Sequence, residues 1–198
     1  GVYTVSEHVD GHLMSDHGLQ PNGDLYKGVN HKANFYMKDD PHEGFRKIEG
    51  FPEHGTEGAY SHMDEFVAFI SNTESPEFLE MLPLVLNQQE YEDWWIFVTF
   101  LSASDSCGKN SYHYCDLLKG IWRYIPWDFD SSLGQDWKTK RTGRLSVPNY
   151  CDLNNIFKRF IEQEEIYGPL RSRYLTVLSD GNAYDINWIL SKIDEYYS

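Results

Sequence analysis

Side chains that could perform chemistry concentrate around one predicted reversal of the chain. Two short runs rich in aromatic and β-branched residues, 111–115 (SYHYC) and 121–127 (IWRYIPW), flank the segment 116–120 (DLLKG). Asp favours the start of a turn and Gly its end, so the pattern predicts a β-hairpin with a loop of about five residues. In this hairpin Cys115 would face Ile121.

Four polar residues flank the predicted hairpin. Asp105 and Asn110 precede its first strand, and Asp128 and Asp130 follow its second. Because paired strands lie about 5 Å apart, the hairpin would bring the four side chains together. Carboxylate and amide oxygens crowded in this way are costly unless a cation neutralises them, and such ligands suit Mg²⁺ or Mn²⁺.

The spacing of these residues matches one metal-dependent chemistry. In protein kinases an Asp accepts the proton of the substrate hydroxyl, the Asn of the pattern D-x-x-x-x-N binds metal, and an Asp after a hairpin binds metal. Asp105, Asn110 and Asp128 have this arrangement. A plain cluster of turn residues is the alternative, since Asp and Asn are common in loops.

Three segments are similar in sequence to a known family. The segment 124–134 (YIPWDFDSSLG) matches the pattern ipWDxDxsxG, which follows D…N-x-y in that family. The segments 1–13 (GVYTVSEHVDGHL) and 22–28 (NGDLYKG) match GxYxxxExvDxxfl and GnLYK. The three occur in family order, and on these residues the chain resembles the CotH family, the spore coat protein H kinase-like proteins.

The resemblance implies an α+β chain with an atypical protein-kinase-like fold. It would consist mainly of the helical large lobe with a catalytic β-hairpin, while the small lobe would be largely absent from this chain. We therefore expect a single, partial CotH kinase-like domain over 1–198. Residues 1–30 would form the hinge and the last small-lobe strands, and 31–198 the large lobe.

The resemblance also implies an activity, the transfer of the γ-phosphoryl group of ATP to Ser or Thr hydroxyls of a protein substrate with Mg²⁺ or Mn²⁺. Asp105 would be the catalytic residue, and Asn110, Asp128 and Asp130 would bind the metal. The family's substrates imply an extracellular, cell-surface or spore-surface location. A non-catalytic pseudokinase or surface-binding module on the same fold is the alternative. A hydrolase with paired carboxylates is another, but it would leave Asn110 unexplained.

Candidate nucleotide-binding residues lie near the start of the chain. Residues 1–10 alternate as in a strand, and the resemblance makes this strand the hinge. Glu7, His8 and Val9 would then lie beside the adenine ring. Lys27 is a candidate phosphate-binding residue. An ordinary strand with a polar end and a solvated lysine are the corresponding alternatives.

Periodic spacing of apolar residues predicts a largely helical scaffold. The first helix is expected to start at an N-cap Ser61 and to bury four apolar residues, Met63, Phe66, Val67 and Ile70. Further helices are predicted over five segments, 75–85, 90–102, 153–165, 167–179 and 184–197. The last of these is expected to turn four apolar residues inward, Ile186, Ile189, Leu190 and Ile193. The segment 31–61 lacks periodicity and is predicted to be irregular.

Charge and hydropathy argue against nucleic-acid binding and against a membrane span. The formal net charge of −14 disfavours general nucleic-acid binding, and no apolar run is long enough to span a membrane. One local positive patch could hold phosphates or could be a solvated charge run; it comprises Lys138, Lys140, Arg141 and Arg144. The three cysteines, Cys107, Cys115 and Cys151, fit no zinc-site spacing, although Cys107 could approach Cys115 near the hairpin.

Overall fold

The computed structural model describes residues 7–136, 138, 140, 150–179, 181–182 and 184–197. Within this part of the chain the fold is α+β, because seven α-helices accompany a four-stranded antiparallel sheet. The chain divides into two compact units, Gly1–Arg159 and Phe160–Ser198. The α+β class is thus confirmed, whereas the kinase-like organisation and the single domain over 1–198 stay predictions.

The sheet belongs to the first unit and has the strand order β2-β1-β3-β4. Its strands are β1 (Asp24–Gly28), β2 (Phe45–Glu49), β3 (Ser111–Asp116) and β4 (Ile121–Pro126). β1 pairs with β2 on one side and with β3 on the other, and every pair is antiparallel. β1 therefore lies beside the β3–β4 hairpin despite their distance in sequence.

The predicted hairpin is present, but its register differs from the expected one. Asp116, and not Cys115, pairs with Ile121. The cause is the side chain of Asp116, whose Oδ1 accepts hydrogen bonds from two backbone N–H groups of the loop 117–120, at 3.0 and 3.2 Å. These bonds close a tighter turn than expected and keep Asp116 in the strand.

The helices form largely where apolar spacing predicts them. They are, in chain order, α1 (Gly11–Asp16), α2 (Ser61–Asn72), α3 (Ser75–Val85), α4 (Gln88–Leu101), α5 (Asn155–Glu162), α6 (Glu164–Val177) and α7 (Ile186–Tyr197), with 3₁₀ turns at Ser104–Ser106 and Cys151–Leu153. The four apolar residues predicted for the core face of α2 are buried. Ser61 is the first residue of α2 and not its cap, because Tyr60 occupies the N-cap position.

The described part of the predicted strand 1–10 is not a strand. Residues 1–6 lie outside the described residues, and 7–9 have no regular structure. Asp10 instead caps α1, because its Oδ1 accepts hydrogen bonds from two N–H groups of the first helical turn, at 2.8 and 3.2 Å. Apolar periodicity does not reveal this helix start, because the cap of the helix is an Asp and its first residue is a Gly.

The segment 31–61, predicted to be irregular, contains strand β2. Its side chains do alternate between the buried and exposed sides, with Phe45 and Lys47 buried and Arg46 exposed between them. Because one of the buried residues is a lysine, the alternation does not appear as a hydrophobic pattern in the sequence.

The aromatic side chains of α4 pack against the hairpin. Trp94 stacks on Tyr124 with ring centroids 4.5 Å apart, and the Oη of Tyr91 lies 3.2 Å from Nδ1 of His113. Burial lowers the pKa of His113 to about 3, so this imidazole is neutral near pH 7. The indole N–H of Trp94 donates to the carbonyl oxygen of Ser106 at 2.9 Å, which ties α4 to the residues that precede β3.

In the second unit, the apolar residues of α7 do not face inward as predicted. Asp185 directly precedes the helix, and its carboxylate accepts hydrogen bonds from the N–H groups of Gly181 and Asn187, both at 2.8 Å. Ile186 and Leu190, however, are 62% and 51% exposed. Helical spacing identifies an apolar face, but it does not supply a surface to cover that face.

Two further expectations concern membranes and the basic patch. No helix in the described part of the chain is long and apolar enough to cross a bilayer. Of the patch, Lys138 and Lys140 are described, and their backbone N–H groups donate to the carboxylate of Asp136. Arg141 and Arg144 lie outside the described residues.

The three cysteines, all among the described residues, form no disulfide with one another. Cys107, Cys115 and Cys151 all carry free thiols. Burial raises the pKa of both Cys107 and Cys115, so neither is a reactive thiolate near neutral pH.

A buried ion pair joins β1 to β2. The ammonium of Lys47 lies 2.7 Å from Oδ1 of Asp24, and the two side chains are 1% and 0% exposed. The other carboxylate oxygen of Asp24 contacts Nδ1 of His62 at 2.7 Å and accepts a hydrogen bond from the hydroxyl of Tyr26 at 3.0 Å. These contacts compensate a carboxylate that has no access to water.

Replacing Lys47 by Met should lower the free energy of unfolding by about 3 kcal/mol or more, because Asp24 would remain buried without its cation. Urea denaturation followed by tryptophan fluorescence measures the loss. Lys32→Met is the matched control, since Lys32 pairs with Glu43 at the surface and breaking an exposed pair costs about 1 kcal/mol or less. Equal losses in the two variants would contradict a special role for the buried pair.

Candidate functional site

The predicted site residues lie where regular elements meet. Asp105 is in the 3₁₀ turn that follows α4, Asn110 directly precedes β3, and Asp128 follows β4. Asn110 and Asp128 adopt left-handed backbone conformations, with φ of 58° and 56°. Such values are uncommon outside glycine, and Asn and Asp tolerate them best among the other residues. The residue types therefore suit the sharp changes of chain direction as well as the proposed chemistry.

The hairpin brings these residues together. The amide Nδ2 of Asn110 donates to Oδ2 of Asp105 at 3.3 Å, and the backbone N–H of Asn110 donates to the carbonyl oxygen of Gly28 on β1 at 3.1 Å. On the other side, the hydroxyl of Ser106 donates to the carbonyl oxygen of Asp128 at 3.1 Å. The turn that carries Asp105 is thus hydrogen-bonded to the residue before β3 and to a residue after β4.

Asp128 and Asp130 are electrostatically coupled. Desolvation is the largest cause that raises the pKa of Asp128, followed by the charge of Asp130 and a hydrogen bond to it, and then by the charge of Asp105. Lys27 acts in the opposite direction. The three predicted carboxylates therefore interact with one another, and a lysine on β1 lies close enough to offset part of their repulsion.

Two cationic or potentially cationic side chains contact Asp105 and were missed by sequence reasoning. Nζ of Lys109 lies 2.8 Å from Oδ2 of Asp105, and Nε2 of His31 lies 3.4 Å from Oδ1. Lys109 could have been found, because it directly precedes Asn110 within the motif. His31 lies in the segment predicted to be irregular, and nothing in its local sequence indicates that this segment returns to Asp105.

The ammonium of Lys27 lies against two aromatic rings. Its ammonium is 5.2 Å from the ring centroid of Tyr112 and 5.4 Å from that of Trp127. These two rings meet edge to face with centroids 5.7 Å apart. Cation–π contacts of this kind hold an ammonium in place, and the charge of Lys27 acts to lower the pKa of Asp128. The role of Lys27 in nucleotide binding stays a prediction.

The other predicted nucleotide-binding residues divide into two groups. Val9 is 5% exposed and belongs to the same buried cluster as Tyr112. Glu7 and His8 are exposed; His8 lies 3.2 Å from Asp10 and Glu7 lies 3.8 Å from His17, both beside α1. Val9 is therefore near β3, the strand that follows Asn110. Glu7 and His8 make these contacts with residues close to them in sequence.

The loop between Asp105 and Asn110 depends on the absence of a side chain at Gly108. A Cβ at this position would lie 2.9 Å from the carbonyl oxygen of Ala33. Asn154 holds the same loop from another side, because its Nδ2 donates to the carbonyl oxygen of Cys107 at 2.5 Å. The loop is packed between these two segments.

The carboxylates do not form a compact metal-binding triad. Among the described residues, the requirement that three His, Cys, Asp or Glu ligand atoms all lie within 4.8 Å of one another is met by Asp40, His42 and Asp64, and not by Asp105, Asp128 and Asp130. An open arrangement is compatible with Mg²⁺ in phosphoryl transfer, because that ion usually takes one or two carboxylates and completes its shell with water and phosphate oxygens.

Replacing Asp128 by Asn should raise the free energy of unfolding at pH 7 by about 0.5 kcal/mol, a small gain because the side chain is exposed and screened. The pKa of Asp128 is raised in the folded chain, so its ionisation opposes folding, and this cost appears as pH rises through that pKa. The gain should therefore vanish near about pH 3. Urea denaturation at both pH values measures it.

Asn retains the left-handed backbone that Asp128 adopts, so the substitution tests the charge alone. The exposed Asp16 on α1 provides the control Asp16→Asn, which should leave stability unchanged at both pH values. A variant Asp128→Asn that is less stable than the parent at pH 7 would show that the carboxylates do not repel one another.

Comparison with known proteins identifies the family. The family model described as CotH kinase protein matches residues 1–194, and the chain therefore belongs to the CotH kinase protein family. The chain is also similar to inner spore coat protein H of Bacillus subtilis (strain 168), with 27% identity over 168 residues. That match covers 83% of this chain but 46% of the relative, so the chain spans less than half of the relative's length.

Proposed function

We propose that this member of the CotH kinase protein family is an atypical protein kinase, which transfers the γ-phosphoryl group of ATP to Ser or Thr hydroxyls of a protein. The observation that carries the proposal is the hydrogen bond between Asp105 and Asn110 at the start of β3, at the same open end of the hairpin where the chain leaves β4 and reaches Asp128. A buried helix that leads into such a loop and hairpin is also how the large lobe of a protein kinase is organised. We extend that likeness to the fold of this chain.

The residues present fit a divalent cation. Asn110, Asp128 and Asp130 offer oxygen ligands, and the pKa of Asp128 is raised by desolvation and then by the charge of Asp130, so a cation at this position would stabilise the ionised carboxylates. These three residues would hold Mg²⁺ or Mn²⁺. When bound, the ion supplies neutralisation of the charge on the nucleotide phosphates.

Asp105 would accept the proton of the acceptor hydroxyl through its carboxylate. This group is 17% exposed, so it is held by the protein and still reachable by a substrate side chain. Asn110 and Lys109 contact Oδ2 and His31 lies near Oδ1, so both oxygens of the carboxylate are restrained. Phosphoryl transfer depends mainly on such positioning and on charge neutralisation.

The nucleotide would lie on the face of the sheet that carries Lys27. The ammonium of Lys27 is restrained by the rings of Tyr112 and Trp127, and it would contact the phosphates of ATP. Val9 shares the buried cluster of Tyr112 and would lie nearer the adenine ring. We keep Glu7 and His8 as candidates for the edge of the base.

The relative's name suggests where the protein acts. Inner spore coat protein H is named for the spore coat, and we extend this to a spore-surface location and to protein substrates at that surface. Because the chain covers less than half of that relative, the location and the substrates are part of this proposal.

Incorporation of phosphate from labelled ATP into protein tests the assignment. In the full protein containing this chain, Asp105→Asn and Asp128→Asn should each reduce incorporation at least about 10³-fold, since each removes a group that acts in the transition state. The control Asp16→Asn should leave the rate unchanged. Incorporation that survives both site substitutions would overturn the proposal, and ATP binding without incorporation in the parent would favour the pseudokinase alternative.

Replacing Lys27 by Met should raise the KM for ATP about tenfold, equivalent to about 1.4 kcal/mol of lost binding, because a phosphate contact would be removed. The melting temperature should change little, since the methionine side chain can still pack on Tyr112 and Trp127. Steady-state kinetics measure the effect. Lys119→Met, in the exposed loop at the far end of the hairpin, is the control, and a KM raised equally by both variants would contradict a specific contact.

A further inference from the structure

A second group of possible metal ligands lies outside the candidate kinase site. Nδ1 of His42 is 2.8 Å from Oδ1 of Asp64 and 3.1 Å from Oδ1 of Asp40. All three ligand atoms lie within 4.8 Å of one another. Asp64 is in the first turn of α2, whereas Asp40 and His42 belong to the segment that connects β1 to β2. The group therefore joins two parts of the first unit that are distant in sequence.

Hydrogen bonding alone leaves this group incompletely paired. A single imidazole nitrogen carries at most one proton, so His42 Nδ1 can give a full hydrogen bond to one of the two carboxylates but not to both. The other carboxylate then receives no hydrogen bond from Nδ1 of His42, although it lies close to the first carboxylate. A cation in the space between them would give all three ligand atoms a partner.

The separations between the ligand atoms suit a bound ion. Ligands held about 2.1 Å from one cation lie roughly 3.0 to 3.4 Å from each other in octahedral or tetrahedral geometry. The distances of 2.8 and 3.1 Å in this group are close to those values. Small movements of the side chains would therefore be enough to admit the ion.

The ring of His42 is already held in one orientation. It stacks on Tyr60 with centroids 3.9 Å apart and an angle of 13° between the ring planes. The hydroxyl of Tyr60 in turn accepts a hydrogen bond from the backbone N–H of Lys47 at 3.1 Å, which ties this ring to β2. A ligand fixed in this way loses little conformational freedom on metal binding.

We propose that Asp40, His42 and Asp64 form a second metal site, separate from the nucleotide site, that binds a divalent transition cation such as Zn²⁺ or Mn²⁺. An imidazole nitrogen with two carboxylates favours these ions over Mg²⁺ or Ca²⁺, which prefer oxygen ligands alone. Asp40 is 57% and Asp64 36% exposed, so water can complete the coordination shell. The site does not depend on the proposed kinase activity.

The site would stabilise the segment that supports the catalytic loop. Residues of this segment reach the candidate kinase site, since His31 contacts Asp105 at 3.4 Å and Ala33 packs against Gly108. An ion held by Asp40, His42 and Asp64 would tie the same segment to α2. Its primary role is structural, and its effect on the kinase site follows from that connection.

Thermal unfolding of the metal-stripped protein, without nucleotide and with added Zn²⁺ or Mn²⁺, tests the site. The cation should raise the melting temperature by stabilising the folded state, and dialysed protein should retain one equivalent of Zn²⁺ by elemental analysis. Asp40→Asn should weaken the apparent affinity at least about tenfold, since it replaces an anionic carboxylate ligand by a neutral amide. It leaves the contact between His42 and Asp64 in place, so the variant is expected to fold.

The neighbouring exposed residue Asp39 gives the matched control Asp39→Asn, which should respond to the cation as the parent does. The variant Asp128→Asn should also keep the response. If Asp128→Asn abolishes the response and Asp40→Asn does not, the cation binds at the hairpin and the proposal is wrong. An unchanged affinity in both Asp40→Asn and His42→Gln would overturn it equally.

Discussion

The backbone pairing of β3 with β4 is the interaction on which the candidate site depends. It runs from Ser111 opposite Pro126 to Asp116 opposite Ile121, and it therefore fixes where Asn110 enters the sheet and where the chain leaves it. A slip of one residue would turn every side chain of a strand to the other face. Burial opposes such a slip, because the aromatic residues of α4 pack against side chains of both strands.

The same site works against the stability of the fold in two respects. Asn110 and Asp128 occupy left-handed conformations, and the carboxylate of Asp128 is crowded by other acids. Both features persist because neighbouring structure offsets them: Lys27 supplies positive charge to Asp128, and the loop that leads to Asn110 is packed against Ala33 and Asn154. Residues that suit binding of a charged ligand are thus held in a state that the free chain would avoid.

Sequence reasoning succeeded where the information is local. The residues around the hairpin could be grouped because a short reversal determines which side chains meet. Apolar spacing located the helices α2 and α4 themselves. It failed where a contact depends on distant pairing. His31 reaches Asp105 only because β1 pairs with β3. Strand β2 was not predicted because its buried Lys47 breaks the hydrophobic pattern. Apolar spacing also cannot distinguish the exposed face of α7 from a buried one. The predicted register of the hairpin was wrong by one residue, because the side chain of Asp116, and not loop length alone, determines the turn.

Strand β1 connects the stability of the fold with the candidate site, because successive side chains of a strand face opposite sides of the sheet. On one face, Asp24 and Tyr26 join the buried contacts with Lys47 and His62. On the other face, Lys27 lies opposite Tyr112 of β3 in the strand register and reaches its ring. The buried ion pair on the first face fixes the position of the strand. Because Lys27 is on the same strand, the buried pair also helps to position its ammonium, whose charge acts to lower the pKa of Asp128.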